Sequence, residues 1–338
     1  PIGLRHELMS DVDTYEKVRN RLYYKKNEIR SLLLLQEKQK RLTYALLKVI
    51  NKLVKKFPIE INSVDSVMVY KDCNIGSAKP SKKILKEFPH KLVDHISPNK
   101  IYTVSSFYKE ANEFIKNSHK NKKIPIFVGG TMMYFKILLD GLNELPPGDN
   151  NLRKYLSGLM NDDKNYLHSM LEKKDPIQAK KIKPNDKKRI IRSLEIIENT
   201  GQKASLLLDE DTVLLKEKYN VVQYGIEEKD RRSLHRNIEI RLIEIIEKGL
   251  VSEVEALLKN YQISDDHPLR KSVNYKQAIG LINNEYSNDE MFNLALYATR
   301  QLAKIQITWM RSWKDLHSLS KNKYQKIFNK LKTLERTL

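Results

Sequence analysis

Short strand-like runs and a helical segment alternate between residues 58 and 130, and this alternation limits the fold more than any other feature. Residues 58–66 (PIEINSVDS) and 124–130 (IPIFVGG) are β-rich, and the second run ends in two glycines. Residues 104–123 between them have the periodicity of an amphipathic helix. Strand, helix and strand in this order predict a βαβ unit, and therefore an α/β fold with a parallel sheet.

The segments on either side of this unit are predicted to be mainly helical. No Gly or Pro lies between Gly3 and Pro58, and apolar residues recur at spacings of three and four, so residues 1–57 are predicted to be helical. Residues 151–215 are charged and predict a small helical insertion. Residues 219–226 (YNVVQYGI) then predict one more strand of the core.

The C-terminal third of the chain also has helical periodicity. Residues 231–260 predict a long amphipathic helix with a break at Gly249. A further helix is predicted around residues 293–313. Its larger apolar residues fall near one face: Leu294, Tyr297, Leu302, Ile305 and Trp309.

The composition is that of a globular protein with a large positive charge. The 338 residues are 40% hydrophobic, and 62 Lys and Arg against 42 Asp and Glu give a net charge of +20. This excess favours a polyanionic partner, because each neutralised phosphate releases counterions. The alternatives are a membrane surface or the Lys-, Asn- and Ile-rich composition of an AT-rich genome. The sequence contains no run of 18 apolar residues, so no membrane span is predicted.

Cysteine usage and the first residues indicate a cytoplasmic protein. Cys73 is the single cysteine, which excludes a disulfide framework and a cysteine-ligated zinc site. The first twenty residues carry charges throughout and lack the apolar core of a signal peptide. We therefore expect a cytoplasmic location.

An aspartate, Asp65, ends the first strand-like run, after Ile59, Ile61 and Val64. Ligands of open α/β sheets bind outside the carboxyl ends of the strands, so a carboxylate at this point is well placed for chemistry. The alternative is that Asp65 only caps the turn that follows the strand.

Seven stretches of sequence, in a fixed order, resemble the tRNA dimethylallyltransferases, the IPP transferase family. The resemblance extends over residues 58–313, about three quarters of the chain. The stretches are DSVMVY with IGSAKP (65–80), PHKLVD (89–94), VGGTMMYFKILLDGL (128–142), LPPGDNNLR (145–153), KPNDKKRIIRSLEI (183–196), KSVNYKQ (271–277) and TRQLAKIQITWMR (299–311).

The resemblance implies transfer of a dimethylallyl group from dimethylallyl diphosphate to N6 of adenosine 37, in tRNAs that read codons beginning with U. It implies Mg²⁺ on the diphosphate, the tRNA anticodon stem-loop as partner, and a monomer of the bacterial type. The implied fold is a P-loop NTPase-like core formed by residues 58–145 and 216–320. Residues 146–215 are the implied helical, tRNA-binding insertion, and residues 1–57 are an atypical helical N-terminal segment.

The resemblance also implies roles for individual residues. Asp65 matches the general base, which takes a proton from the adenine amine as the bond to carbon forms. Arg241 matches an arginine of the diphosphate site, with a solvated helix face as the alternative, and Thr131 matches a substrate-site residue. The implied tRNA contacts are Asp65, Ser66, Val67, Met68, Thr131, Arg153, Lys188, Arg189, Ile190, Ile191, Arg192, Lys271, Ser272, Val273, Asn274, Tyr275 and Lys276. The basic residues among them are alternatively solvated surface charges.

One departure from the family bears directly on activity. The family carries a G-x-x-x-x-G-K-[ST] phosphate loop about twenty residues before the aspartate. That position is occupied here by residues 40–47 (KRLTYALL), which contain no Gly. Either the chain is a tRNA-binding homologue with impaired catalysis, or the residues before about 52 come from a shifted reading frame.

Two further points follow from the comparison of motifs. A small-molecule kinase with a related core would need the same phosphate loop and does not explain the motifs after residue 183.

Three single-residue departures from the family predict weaker binding of diphosphate and tRNA. Asn237 stands where the family usually has Arg, Asn274 where Gly is usual, and Ile305 where Arg or Lys is usual.

Overall fold

The chain folds into two compact units. The structure is a computed structural model, and it describes residues 31–37, 53–159, 165–209, 212–226, 230–319 and 323–335. The first unit, the core unit, comprises Pro1–Leu139 and Leu214–Leu338, and the second, the insertion unit, comprises Asp140–Val213. No helix in these described ranges is long and apolar enough to cross a membrane.

A parallel sheet of six strands forms the centre of the core unit. The order across the sheet is β3-β2-β4-β1-β5-β6, and every neighbouring pair is parallel. The predictions of strands at residues 58–66, 124–130 and 219–226 are confirmed. The strands are β1 (Ser31–Glu37), β2 (Ile59–Val64), β3 (His90–Lys91), β4 (Ile124–Gly129), β5 (Asn220–Ile226) and β6 (Leu316–Ser318).

Strand β1 corrects the prediction that residues 1–57 are helical. Residues 31–37 (SLLLLQE) pair with β4 on one side and β5 on the other. Leucine is a good helix former, but a short apolar run is equally typical of a central parallel strand, and periodicity alone does not separate the two. Of the rest of the predicted helix, residues 1–30 and 38–52 lie outside the described residues, and residues 53–57 are a short helical turn followed by a bend. Residues 40–47, the expected position of the phosphate loop, are among those outside the described residues.

The helices fall between and after the strands, as expected for an α/β fold. In chain order they are α1 (Lys82–Glu87), α2 (Val104–Lys120), α3 (Met132–Asp140), α4 (Asn150–Gly158), α5 (Tyr166–Lys174), α6 (Pro176–Lys181), α7 (Lys187–Thr200), α8 (Ala204–Leu208), α9 (Leu215–Lys218), α10 (Arg231–Glu247), α11 (Leu250–Asn260), a 3₁₀ turn (Pro268–Lys271), α12 (Tyr275–Ile282), α13 (Asn288–Ser312) and α14 (Lys323–Glu335). Helices α4 to α8 belong to the insertion unit, which the structure bounds at Asp140 and Val213.

The two faces of the sheet contribute to different hydrophobic clusters, because successive side chains of a strand point to opposite faces. Ile124, Ile126 and Val128 of β4 belong to the cluster that contains buried residues of α14. Phe127 of the same strand belongs to the cluster with α2 and α3, where Phe114 lies edge-on to its ring. Both faces of the sheet are therefore covered.

The predicted break at Gly249 is confirmed and separates α10 from α11. Gly249 has φ +93°, a left-handed conformation that a residue with a β-carbon rarely adopts. Helix α13 is also confirmed, but its larger apolar residues are not its buried ones. Leu294, Tyr297, Leu302 and Ile305 are exposed, and the buried positions hold Met291, Ala295, Leu296, Ala303 and Met310. Small side chains on the buried face allow α13 to pack closely against α10.

Candidate functional site

A cavity of about 380 Å³ lies at the carboxyl ends of β2 and β4 in the core unit. This is the edge of a parallel sheet at which ligands bind in open α/β folds. Most of the wall is apolar, as is usual for sites that bind small molecules. The residues with polar side chains in the wall are Ser63, Asp65, Ser66, His90, Thr131, Asn237, Arg241, Asn274, Thr299, Gln306 and Trp309.

Asp65 directly follows β2 and belongs to the cavity wall. Its Oδ1 accepts hydrogen bonds from the backbone N–H groups of Val67 (2.8 Å) and Met68 (3.0 Å). The residue therefore caps the following turn, as the alternative explanation required, and it also lies in the cavity. The two backbone bonds fix the orientation of the carboxylate, which is a requirement for a positioned general base.

The Gly129–Thr131 turn at the end of β4 holds both neighbours of Asp65. Thr131 N donates to Val64 O (3.1 Å), and Thr131 Oγ1 accepts from Ser66 N (3.1 Å). Gly129 is required by space: a β-carbon there would lie 2.1 Å from Val64 O. Neither glycine of the turn has positive φ, so backbone conformation is not the reason for glycine here.

The cationic side of the cavity comes from α10. Asn237 and Arg241 are one helical turn apart on this helix, and both line the cavity. A guanidinium is suited to a diphosphate, because its N–H groups bind two oxygens at once. The structure thus brings Asp65, Thr131 and Arg241, predicted from separate parts of the sequence, to one cavity.

The segment from Lys271 to Lys276 lies partly in the cavity wall and partly on the exposed surface of the protein. Val273 and Asn274 line the cavity, whereas Lys271 and Lys276 are exposed. Tyr275 is only 1% exposed, and its hydroxyl donates to Glu253 Oε1 (2.9 Å), so its side chain belongs to the core. RNA contacts by this segment stay a prediction, and the two lysines are its accessible charges.

Asn274 replaces the usual family glycine at a position where the reason for glycine is visible. Its φ is +75°, a conformation that costs free energy in any residue with a β-carbon, although asparagine tolerates it better than most. Two hydrogen bonds hold the residue in place: its N–H donates to Gln277 Oε1 (2.9 Å), and its Nδ2 donates to Gly76 O (3.2 Å). The asparagine side chain therefore makes a contact to the loop after Asp65 that a glycine could not make.

Burial shifts the pKa values of His90, in the cavity wall, and of Cys73, in the loop after Asp65. Burial lowers the pKa of His90 and outweighs the hydrogen bond between its Nδ1 and Phe88 O, so the ring is neutral. Burial raises the pKa of the Cys73 thiol to about 12, which excludes a reactive thiolate. Asp65 is the carboxylate among the residues that line the cavity.

The remaining predicted tRNA residues lie in the insertion unit. Lys188 and Arg189 are exposed near the start of α7, and Ile190 is buried in the hydrophobic cluster of this unit, with Ile191 packed against that cluster. Arg153 and Arg192 instead form a network around Glu195, whose side chain is fully buried. Glu195 accepts from Arg153 Nε (2.8 Å), from Asp149 N (2.6 Å) and from Arg192.

This network makes a pH-dependent contribution to the stability of the insertion unit. Burial acts to raise the pKa of Glu195, but the hydrogen bonds from Arg153, Arg192 and Asp149 outweigh it and lower the pKa below the ordinary value. A carboxylate with a lowered folded-state pKa stabilises the fold at pH values above its unfolded pKa. The contribution is lost as the pH falls through the folded-state pKa.

We predict that Glu195→Gln lowers the free energy of unfolding of the insertion unit by about 1–3 kcal/mol at pH 7, because it leaves two arginines without their carboxylate. The difference from wild type should shrink as the pH falls below the unfolded-state pKa of about 4.3, because the unfolded chain then binds a proton that the folded chain does not. Native-state hydrogen exchange of the α7 amides at several pH values measures this. Glu198→Gln is the matched control, since Glu198 pairs with Lys174 on the exposed surface. An equal loss at pH 3.5 and pH 7 would contradict the prediction.

Sequence reasoning missed two residues that hold the site together. Glu253 of α11 accepts hydrogen bonds from the backbone N–H groups of Asn74 (2.8 Å), Ile75 (2.6 Å) and Gly76 (3.0 Å). Gln306 of α13 donates to Gly130 O (2.7 Å). Each partner lies more than 170 residues away in sequence, so no local pattern indicates these contacts.

The known proteins that this chain resembles belong to the same family as the one indicated by its motifs. The family model described as IPP transferase matches residues 68–313. The tRNA dimethylallyltransferase of Buchnera aphidicola subsp. Cinara cedri is 38% identical over 289 residues, which span 84% of this chain and 92% of that protein.

Two solved structures are also similar. A full-length tRNA isopentenylpyrophosphate transferase from Bacillus halodurans is 26% identical, with a TM-score of 0.64 over 91% of this chain and 97% of that one. A eukaryotic dimethylallyltransferase acting on tRNA has a TM-score of 0.71 over 86% of this chain and 74% of that one. The second is 23% identical and shows the similarity of the fold alone.

Proposed function

Since this chain belongs to the IPP transferase family of tRNA dimethylallyltransferases, we infer that it transfers a dimethylallyl group to adenosine 37 of tRNA, and we propose that Asp65 is the general base. The observation that carries the proposal is the convergence of Asp65, Thr131 and Arg241 on one cavity at the carboxyl edge of the sheet. The three residues come from widely separated parts of the sequence, and each match is weak alone.

The chemistry of the acceptor explains the need for a carboxylate. The exocyclic amine of adenine is a poor nucleophile, and it must lose a proton as N6 bonds to carbon. Asp65 is held by two backbone N–H groups, so its carboxylate keeps one orientation. The adenine has to leave its stack to reach a cavity of this kind, and we propose that the base is flipped out.

The leaving diphosphate needs donors that stabilise its growing charge as the C–O bond breaks. We propose that Arg241 supplies part of this stabilisation from α10. Mg²⁺ is part of the proposal, although the described residues contain no group of three or more His, Cys, Asp or Glu that would form a cage for it. Such a cavity would suit an ion that is bound mainly by phosphate oxygens and water, and Asp65 is the carboxylate among its lining residues.

The charge of the chain suits the RNA. We propose that the anticodon stem-loop contacts the exposed Lys188, Arg189, Lys271 and Lys276, which position the backbone phosphates without reading sequence. A preference for tRNAs that read codons beginning with U, a monomeric state and a cytoplasmic location belong to the same proposal.

A second candidate function is tRNA binding without prenyl transfer. The observation in its favour is that no Gly lies between Gly3 and Gly76, although a phosphate loop of the usual kind would follow the central strand β1, which ends at Glu37. Residues 38–52 lie outside the described residues. A basic surface would still hold tRNA in a chain that binds the diphosphate poorly.

Incubation of the purified protein with dimethylallyl diphosphate, Mg²⁺ and tRNA separates the two candidates. We expect N6-dimethylallyladenosine at position 37, detected by mass spectrometry of the digested tRNA. A tRNA with guanosine at position 37 is the control and should remain unmodified. Retention of tRNA without any N6 product would support the binding protein and contradict the transferase.

A further inference from the structure

Gln306, which the sequence argument did not single out, connects the two sides of the cavity. Its Nε2 donates a 2.7 Å hydrogen bond to Gly130 O in the turn after β4. Gln306 also belongs to the cavity wall, together with Asp65 and Arg241. The contact joins a helix to the sheet edge across 176 positions of sequence.

On the sheet side, the turn that Gln306 holds determines where Asp65 lies. Thr131 follows Gly130 directly and bonds to both neighbours of Asp65, to Val64 O through its N–H and to Ser66 N through its Oγ1. A shift of the Gly130 peptide therefore displaces the backbone on either side of the carboxylate.

On the helix side, Gln306 stands on the element that fixes the arginine. Helix α13 packs on α10 through Ala295, Leu296 and Ala303, and these contact Leu234, Ile238 and Leu242. Arg241 is the residue before Leu242 on α10. The hydrogen bond from Gln306 thus ties the helix pair that carries Arg241 to the turn that holds Asp65.

We propose that Gln306 is a positioning residue for prenyl transfer, which sets the distance between Asp65 and Arg241 through the carbonyl of Gly130. This inference rests on the proposed role of Asp65. Proton abstraction from N6 and departure of the diphosphate belong to the same transfer, so the base and the arginine must both be in place when the substrates are bound. A misplacement of about 1 Å is enough to reduce turnover by about 10²-fold.

The variant Gln306→Met tests the proposal, since methionine has a similar length, forms helix well and lacks the donor. We expect kcat to fall by about 10- to 100-fold while KM for dimethylallyl diphosphate and for tRNA changes by less than about threefold. Gln301→Met is the matched control on the same helix. Gln301 donates to Tyr297 on the exposed surface, and its loss should leave kcat within about twofold of wild type.

A double-mutant cycle with Thr131→Val distinguishes positioning through the turn from a general structural effect. If Gln306 acts through Thr131, the double variant should be no more than about threefold slower than Thr131→Val alone. If the fold-reduction of kcat in the double variant equals the product of the two single fold-reductions, the residues act independently. That result would overturn the proposal.

Hydrogen exchange supplies a measurement that does not depend on activity. Gln306→Met should speed exchange of the Ser66 and Thr131 amides about fivefold relative to Gln301→Met, as expected when one ordinary hydrogen bond near them is lost. Unchanged exchange at both amides would overturn the proposal even in a protein that shows no prenyl transfer. If the wild-type protein shows no prenyl transfer but Gln306→Met still speeds exchange at these amides, the positioning contact is supported and only the proposed function is contradicted.

Discussion

Replacing Asp65 with asparagine is expected to reduce kcat for prenyl transfer by about 10²- to 10⁴-fold and to leave tRNA affinity nearly unchanged. Asparagine keeps an oxygen in the position of Oδ1, so it still accepts from the N–H groups of Val67 and Met68. The cap therefore remains and only the capacity to take a proton is lost. Single-turnover rates and filter binding of tRNA measure the two effects separately.

The control for this variant is Asp72→Asn in the same loop. Asp72 is exposed, accepts a hydrogen bond from Tyr261, and lies outside the residues that line the cavity. Its turnover should stay within about twofold of wild type. Unchanged turnover in Asp65→Asn would remove Asp65 from the role of base and leave it as a turn cap.

The sheet shows which part of the fold a sequence can predict. Strands β2, β4 and β5 are bounded by Pro, Gly or charged residues, and β2 and β5 carry β-branched side chains, so their patterns indicate strands. Strand β1 consists largely of leucine inside a long segment without Gly or Pro, so its pattern favours a helix. Its neighbours in the sheet, β4 and β5, decide its conformation, and their contacts with it are not local.

The candidate site divides in the same way. Asp65, Thr131 and Arg241 were identified because they match positions of a known family, the first two within the stretches that resemble it. Glu253 lies outside those stretches and Gln306 lies within the stretch 299–311, but both stand in amphipathic helices, where a charged or amide residue is usually solvated. Their partners are backbone groups of distant loops, and backbone groups leave no trace in a sequence pattern. The residues that we propose to act on the substrates were therefore predictable from the sequence, and the residues that place them were not.

The loop after Asp65 depends on Glu253, and we expect Glu253→Gln to lower the free energy of unfolding by about 2–3 kcal/mol. Both carboxylate oxygens are used: Oε2 accepts from Asn74 N and Ile75 N, and Oε1 accepts from Gly76 N and the Tyr275 hydroxyl. A glutamine has one acceptor oxygen, so its amide N–H₂ would face two donors and leave them unpaired. Urea unfolding followed by tryptophan fluorescence measures the loss.

The same substitution should separate RNA binding from diphosphate binding. Glu253 joins the loop at residues 74–77 to Tyr275, which precedes the exposed Lys276. A loosened loop should raise KM for tRNA by about fivefold or more. KM for dimethylallyl diphosphate should change little, because Arg241 on α10 is not among the residues that Glu253 contacts. Glu255→Gln, an exposed change two residues along α11, should leave stability and both KM values near those of wild type. If Glu253→Gln and Glu255→Gln unfold at the same urea concentration, the Glu253 carboxylate does not organise the loop. Packing around Tyr275 would then hold the loop at residues 74–77 and the segment Lys271–Lys276, which we propose to contact the RNA.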